Sequence, residues 1–228
     1  MTASLFSRRV LAGVAAAALL ALAPTAAFAQ QKTGTPTVLA APGPGVKPTG
    51  LTTQQKETLQ AINKYFNAVR TLNGEFVQFG PDGEKSGGEF HMSRPGKIRF
   101  IYAKPSALDI VADGTDVIVR DIKNQTQDLY PLSKTPLRFL LADRIDLTSE
   151  ANVTNVSIEP DLISVVLEQS TVFGDGRLTM VFDRKTSELR QWTVTDAQGY
   201  DTSVAVYNVT ANQPTDEKLF KIDRTIIR

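Results

Sequence analysis

The strongest constraint on the fold is a run of alternating apolar and polar residues over positions 87–123. Turn residues divide this run into four short segments, and in each segment apolar side chains recur at every second position. This period is typical of antiparallel strands with one covered face and one wet face. Strands are therefore predicted at residues 87–92, 97–102, 107–112 and 116–122. Their apolar face must be covered by a second sheet, a helix or a ligand.

The rest of the chain continues the β pattern. Further strands are expected at residues 75–79, 125–130, 177–183, 189–194, 202–209 and 219–222, and residue 158 with residues 162–167 forms one or two more. One face of the later strands carries large apolar side chains, among them Met180, Phe182 and Trp192. The pattern predicts a single, mainly β domain of ten or eleven strands and two helices, without an internal repeat.

Two segments have the period of a helix. The first begins with a capping box formed by Thr52 and Gln55 and is expected to end at residues 73–74. Its apolar stripe consists of Leu59, Ile62, Phe66 and Val69. The second segment, residues 133–143, is too short to be a core helix by itself. Its apolar residues include Leu137, Leu140 and Leu141.

The first 50 residues differ in composition from the rest. Arg8 and Arg9 precede an apolar run at 10–22, and Ala27-Phe28-Ala29 has the pattern of a cleavage site. A signal peptide at 1–29 is predicted, because the run is shorter than the about 20 residues of a spanning helix. Both Sec and twin-arginine export fit. A disordered linker is expected at 30–50, ahead of a domain at 51–228.

Charge and cysteine content exclude several classes of protein. The chain has 25 basic and 24 acidic residues, whereas a nucleic-acid binder needs a basic surface. Because it has no cysteine, its core alone must stabilise an exported domain. No lipid can then be attached to a cysteine behind the signal peptide. A soluble exported protein without a lipid anchor is expected.

Residues for nucleophilic or metal-dependent catalysis are scarce. The single histidine, His91, is expected in a strand near a sheet edge, and no thiol nucleophile exists. A zinc site needs several histidine or cysteine ligands, so neither a metal nor a cofactor is expected. A hydrolase that uses only carboxylates stays open as an alternative. The sequence otherwise favours a binding protein over an enzyme.

An ordered set of short motifs carries a family resemblance. The motifs are Phe76-Val77-Gln78, Gly88-Glu89-Phe90, residues 93–102, 110–114 and 135–142, and Lys218-Leu219-Phe220. In this order they resemble the periplasmic lipoprotein carrier family LolA over residues 59–222. The resemblance implies an incomplete antiparallel β-barrel of about eleven strands. Two or three helices would form a lid over a hydrophobic cavity.

The resemblance also implies roles for individual residues. Arg94, before the proline of an Arg-Pro turn, would act as a latch by bonding backbone carbonyls of the closed lid. The acyl-chain cavity would be lined by Ile98, Phe100, Leu108, Ile110, Met180, Phe182 and Trp192. The lid would carry Leu59, Ile62, Phe66, Val69, Leu137, Leu140 and Leu141. Two departures from the family are Phe100, where many members have tryptophan, and the charged Arg138 within the lid segment.

The implied function is transport of acylated lipoproteins through the periplasm of a Gram-negative bacterium. An inner-membrane ABC transporter would load a monomeric carrier, and an outer-membrane receptor or the outer membrane itself would accept the cargo. Two alternatives use the same fold: a binding protein for a free lipid or glycolipid, and a sensor of mislocalised lipoprotein. By pattern alone, an ordinary packed core explains the same apolar wall, and Arg94 fits a solvated turn.

Overall fold

A computed structural model of the chain describes residues 50–150, 152–171, 174–222 and 224, and its main feature is one large antiparallel sheet. The described residues contain eleven strands. They are β1 (Thr71–Phe79), β2 (Lys85–Ser93), β3 (Lys97–Tyr102), β4 (Leu108–Asp113), β5 (Asp116–Asp121), β6 (Thr126–Pro131), β7 (Val153–Ile158), β8 (Leu162–Thr171), β9 (Gly174–Asp183), β10 (Leu189–Thr195) and β11 (Asp201–Ala211). The predicted signal peptide and nearly all of the predicted linker lie outside the described residues.

The described residues contain few helices. Helix α1 spans Thr53–Ala68 and α2 spans Leu137–Leu140, and two 3-10 turns lie at Leu132–Lys134 and Glu217–Phe220. The predicted capping box of α1 is present: Gln55 N donates to Thr52 Oγ1 at 3.2 Å, and Thr52 N donates to Gln55 Oε1 at 2.9 Å. Among the helices of the described ranges, none combines the length and apolar character that crossing a bilayer requires.

The sheet consists of two meanders joined side by side. Strands β1 to β6 and strands β7 to β11 each follow one another in space, and β1 pairs with β11 at the junction. The resulting order, β6-β5-β4-β3-β2-β1-β11-β10-β9-β8-β7, leaves β6 and β7 as unpaired edges. The sheet is therefore an unclosed barrel. This confirms the expected fold, an incomplete antiparallel β-barrel of about eleven strands.

One face of the sheet carries the apolar core. Alternation along β3 places Ile98 and Phe100 inward, and the facing strands contribute Phe76 and Trp192. The rings of Phe76 and Phe100 meet edge to face with centroids 5.1 Å apart, and those of Phe100 and Trp192 are 6.2 Å apart. Aromatic pairs of this geometry stabilise beyond their buried area. The core thus spans the junction between the two meanders.

The predicted end of the first helix is wrong. Helix α1 ends at Ala68, and residues 73–74 lie inside β1, where main-chain partners are available from both β2 and β11. Gly74 allows β1 and β11 to approach closely, because a Cβ there would lie 3.0 Å from the Tyr207 carbonyl oxygen. The glycine that suggested a helix cap is therefore required by strand packing.

Two smaller predictions also fail. The segment expected as a final strand at 219–222 instead forms the turn at Glu217–Phe220, because Asp216 Oδ1 accepts from Lys218 N at 2.9 Å and Phe220 is buried. His91 lies in β2, an interior strand of the sheet and not an edge.

Candidate functional site

Helix α1 covers the apolar face of the sheet. Leu59, Ile62 and Phe66 are buried on its inner side, at the three- and four-residue spacing that the sequence shows. The Phe66 ring meets the Phe182 ring of β9 edge to face, with centroids 6.2 Å apart. The outer side of α1 is polar. The helix therefore separates an apolar interior from solvent.

A second part of the cover follows strand β6. Leu140 and Leu141 at the end of α2 are buried in the same core, and Leu137 is half-buried against it. The chain then runs back over α1 through residues 143–150, named here the connecting segment. Helix α1, α2 and the connecting segment are together named the cover.

The structure brings most of the sequence-predicted wall residues together beneath this cover. Buried members of the shared core are Ile98, Phe100, Ile110, Met180, Phe182 and Trp192. Leu108 is half-buried and stands outside this cluster. Val69, expected on the helix stripe, is the C-cap residue of α1 and is also buried.

Arg94 is the main polar contact between the sheet and α1. Only 6% of its surface is exposed. Its Nε donates to the Val69 carbonyl oxygen at 3.2 Å, and its Nη2 donates to the same oxygen at 2.9 Å and also to the Phe66 carbonyl oxygen. These carbonyls end a helix, where a positive charge is favourable. The guanidinium carbon also lies 4.5 Å from the centre of the Phe66 ring.

The environment of Arg94 opposes its charge. The pKa of Arg94 is lowered to about 10, chiefly by burial and next by the nearby cation of Arg70, while Asp143 acts in the opposite direction. The side chain is thus still charged at neutral pH. Its solvation is nevertheless poorer than in water, and Nη1 is buried without a hydrogen bond among the described residues.

The turn that holds Arg94 also contacts the second part of the cover. Gly96 N donates to the Leu141 carbonyl oxygen at 2.8 Å, at the end of α2. Gly96 has a φ of +80°, and a Cβ there would lie 2.6 Å from the Cα of Gly114. Glycine is therefore required both by the backbone conformation and by space. A single turn, residues 94–96, bonds the ends of both cover helices.

Two asparagines join α1 to the connecting segment. Asn67 Nδ2 donates to the Ile145 carbonyl oxygen at 2.8 Å, and its Oδ1 accepts from Ile145 N at 2.8 Å. One helical turn earlier, Asn63 Oδ1 accepts from Leu147 N at 2.9 Å. Asn67 thus bonds both main-chain groups of Ile145, whereas Asn63 bonds the Leu147 main chain and, through Nδ2, Asp146 Oδ1. Sequence reasoning missed these residues, whose only signal is a four-residue spacing beside the apolar stripe.

Weaker contacts complete the rim of the cover. Arg70 Nη1 lies 2.7 Å from Asp143 Oδ1 in an exposed ion pair. At the other end of α1, Gln55 Nε2 donates to the Val156 carbonyl oxygen on edge strand β7 at 2.8 Å. The cover is therefore attached to the sheet by side-chain hydrogen bonds, the main-chain bond from Gly96 to Leu141, and apolar contacts. No strand pairing links it to the sheet within the described ranges.

One polar pair lies within the largely apolar interior. Tyr102 donates its hydroxyl to Gln78 Oε1 at 2.8 Å, and the Tyr102 ring packs edge-on against Phe76. Burial raises the pKa of Tyr102, and the bond to Gln78 opposes that effect. Because each group satisfies the other, the pair does not offer a reactive acid or base at neutral pH.

No metal-binding cluster accompanies this interior in the part of the chain that the structure describes. Groups of three or more histidine, cysteine, aspartate or glutamate side chains that could hold a metal ion are absent there. His91 Nδ1 lies 2.8 Å from Asn73 Oδ1, which also accepts from Thr215 Oγ1 at 3.2 Å.

Comparison with known proteins agrees with this architecture. The family model described as outer membrane lipoprotein carrier protein LolA matches residues 67–223, more than half of the chain. An outer-membrane lipoprotein carrier protein from Halorhodospira halophila is 29% identical over 76% of this chain and 85% of its own length. One from Methylococcus capsulatus is 25% identical over 75% of this chain and 86% of its own length.

A solved structure has also been compared with the chain. The crystal structure of a LolA superfamily protein from Nitrosomonas europaea covers 74% of this chain and 99% of its own, with 13% identity and a TM-score of 0.37. The family assignment depends on the sequence match, which extends from the end of α1 through the last 3-10 turn. The chain belongs to the family of the outer membrane lipoprotein carrier protein LolA, a family of carriers.

Proposed function

We propose that this protein is a periplasmic carrier that binds the acyl chains of lipoproteins in its apolar interior. It moves them from the inner to the outer membrane of a Gram-negative bacterium. Loading by an inner-membrane ABC transporter and delivery to an outer-membrane receptor, or to the membrane itself, are parts of this proposal. The carrier acts as a monomer, without nucleic acid, cofactor or catalytic step.

The observation that carries the proposal is the attachment of the cover. An apolar face of eleven strands is closed by α1, α2 and the connecting segment, which are bonded through Arg94, Gly96 and two asparagines. Such contacts can be broken without breaking any strand pairing. The interior wall, including Ile98, Phe100, Met180 and Trp192, would then contact a ligand in place of the cover.

The physical need for such a carrier follows from the hydrophobic effect. Exposing a methylene group to water costs about 0.8 kcal/mol, so an acyl chain of about 15 methylenes costs on the order of 12 kcal/mol. Free diffusion of an acylated protein between two membranes is therefore negligible. Burial of the chain against the sheet removes this cost during transit.

Arg94 supplies the proposed latch. Hydrogen bonds to a charged group contribute about 1.5–3 kcal/mol each, enough to favour the closed cover when no cargo is present. The desolvation that lowers the pKa of Arg94 works against closure, so the closed state is held only moderately. Cargo that fills the interior can then displace the cover, and closure of the empty form favours release.

The direct test uses inner-membrane vesicles that contain the ABC transporter and a labelled lipoprotein. The purified protein is added with ATP, the vesicles are sedimented, and label in the supernatant is measured. The proposal expects a stoichiometric complex of carrier and lipoprotein in the supernatant. If label sediments with the vesicles as it does without the protein, lipoprotein transport is not its function.

The Arg94→Leu variant tests the latch separately. Removing the bonds to the Phe66 and Val69 carbonyls destabilises the closed empty state relative to the loaded state. We expect the variant to load lipoprotein but to transfer it poorly to outer-membrane vesicles. Arg70→Leu, which removes the exposed contacts of Arg70 with Asp143 and leaves the bonds of Arg94 in place, is the matched control and should transfer normally. Normal transfer by Arg94→Leu would refute the latch.

Free lipid or glycolipid is the second candidate ligand, because an apolar interior does not itself distinguish a lipid from a lipidated protein. Native mass spectrometry of the protein as purified separates the two. A co-purified free lipid favours a lipid-binding protein. If lipoprotein transfer also fails, a sensor of mislocalised lipoprotein is equally favoured. The same spectrum of the exported protein tests cleavage after Ala29.

A further inference from the structure

A cleft of about 330 Å³ opens at the edge of the cover, between α2, the connecting segment and β8. This volume lies at the lower end of the range for small-ligand sites. Its apolar floor is formed by core side chains, namely Phe139, Ile145, Leu147 and Leu167. The cleft therefore adjoins the interior proposed to take acyl chains.

Two guanidinium groups line the cleft without a hydrogen-bond partner among the described residues. The guanidinium carbon of Arg138 lies 4.0 Å from the centre of the Phe139 ring, and its Nε is buried without a hydrogen bond. Stacking on the ring fixes the plane of the guanidinium but satisfies none of its N–H donors. Arg144 is exposed at the same cleft, and within the described residues it forms neither an ion pair nor a hydrogen bond through its side chain.

Both carboxylates of the cleft accept hydrogen bonds from neighbouring neutral groups. Asp146 accepts hydrogen bonds from Asn63 Nδ2 at 3.1 Å and from the two hydroxyl groups that follow it in the chain. Glu150 accepts from Asn152 Nδ2 at 2.6 Å. Two acids and two bases line the cleft, and among its described side chains the buried polar atom without a hydrogen bond is a donor, Arg138 Nε. A bound anion would satisfy this donor.

We propose that Arg138 binds the phosphate of an acyl lipid whose hydrocarbon chain enters the adjoining core. A stacked guanidinium presents parallel N–H donors that match phosphate oxygens in a bidentate way. Arg144 adds positive charge at the mouth of the cleft. The inference rests on the proposed function, since it requires that the interior accept an acyl chain. Arg138, the charged residue of the lid segment, would then select acyl lipids that carry a phosphate over neutral ones.

The test compares two lipids that share an oleoyl chain and differ only by a phosphate. Monooleoylglycerol and its phosphate ester are each titrated below their aggregation concentration, and the fluorescence of Trp192, the single tryptophan, is followed. The wild-type protein should bind the phosphate ester about tenfold more tightly, as expected for one charge-assisted contact. Arg138→Gln should bind both lipids with the affinity that wild type shows for monooleoylglycerol.

Three variants and one further ligand complete the design. Arg138→Lys keeps the charge but loses the planar donor pair, and an intermediate preference is expected. Lys123→Gln removes an exposed charge far along the sheet and should retain the full preference. Arg144→Gln should reduce the preference less than Arg138→Gln does. Inorganic phosphate alone should not compete at millimolar concentration.

The outcomes separate this inference from the function on which it rests. Equal affinity of wild type for the two lipids, or an unchanged preference in Arg138→Gln, overturns the phosphate site and leaves acyl binding intact. Competition by inorganic phosphate that depends on Arg138 assigns the cleft to free anions and overturns the lipid assignment. If neither lipid binds, the acyl-chain interior itself is refuted, and the phosphate site fails with it.

Discussion

Replacement of Asn67 by alanine tests whether α1 and the connecting segment move as one cover. The change removes both hydrogen bonds between Asn67 and the backbone of Ile145, each 2.8 Å long. Two neutral hydrogen bonds contribute about 1–3 kcal/mol, and the better helix propensity of alanine returns up to about 0.7 kcal/mol. A net loss of about 1–2 kcal/mol is expected for the closure of this part of the cover.

The loss of closure free energy can be measured from the hydrogen-exchange rate of a single amide. The Ile145 amide donates to Asn67 Oδ1, so its exchange should accelerate by about 5–30-fold in Asn67→Ala. If the segment moves with α1 as one unit, the Leu147 amide, which Asn63 holds, should accelerate too. If the two bonds open independently, Leu147 should keep the wild-type rate.

Lys64→Ala is the matched control, because Lys64 lies exposed on the same helix. It should leave both amides at wild-type rates and should change the urea midpoint little. If the Ile145 amide of Asn67→Ala exchanges at the wild-type rate, this prediction is refuted. The asparagine contacts would then contribute nothing to holding the cover closed.

Three further changes test the packing and electrostatics of the fold. Phe66→Ala empties a buried position under the cover and should lower the free energy of unfolding by about 3–5 kcal/mol in urea; a loss below about 1 kcal/mol would contradict the packing. Gly88→Ala places a Cβ 2.0 Å from the Ile101 carbonyl oxygen, so we expect a large fall in Tm, and an unchanged Tm would contradict this register. Hydrogen bonds, led by that from Thr148, lower the pKa of Asp146 to about 2, below its usual range. Its stabilisation is therefore present above about pH 4 and is lost as the pH falls towards 2, and Asp146→Asn should reduce this dependence in unfolding measured across that range.

The strands and the cover helix were predictable because their periods are local. Strand β3 begins and ends where the alternation predicted, at Lys97–Tyr102, and the apolar stripe of α1 lies on the sheet. The end of α1 was not predictable, because Asn73-Gly74 has the same appearance whether a glycine caps a helix or permits a close approach between strands. Only the pairing of β1 with β11, distant in sequence, decides between these readings.

The contacts that close the site are mostly beyond sequence reasoning. Asn67 and Ile145 are 78 residues apart, and nothing near either residue predicts that they meet. Gly96 contacts Leu141 through its backbone, which no side-chain pattern can reveal. Arg94 was identified through the family resemblance, and its position in a turn would equally suit an exposed residue. Long-range side-chain to backbone bonds therefore need the structure.

The central claim, that the interior accepts acyl chains, is tested most directly by quenching of Trp192 with a brominated fatty acid. Trp192 is the single tryptophan and is buried in the wall beside Phe100, so a bromine atom can quench it only by entering the interior. The account predicts saturable quenching by brominated palmitate, which unbrominated palmitate reverses by competition. If brominated palmitate at saturating concentration leaves the Trp192 emission unchanged, the claim that the interior accepts acyl chains is contradicted.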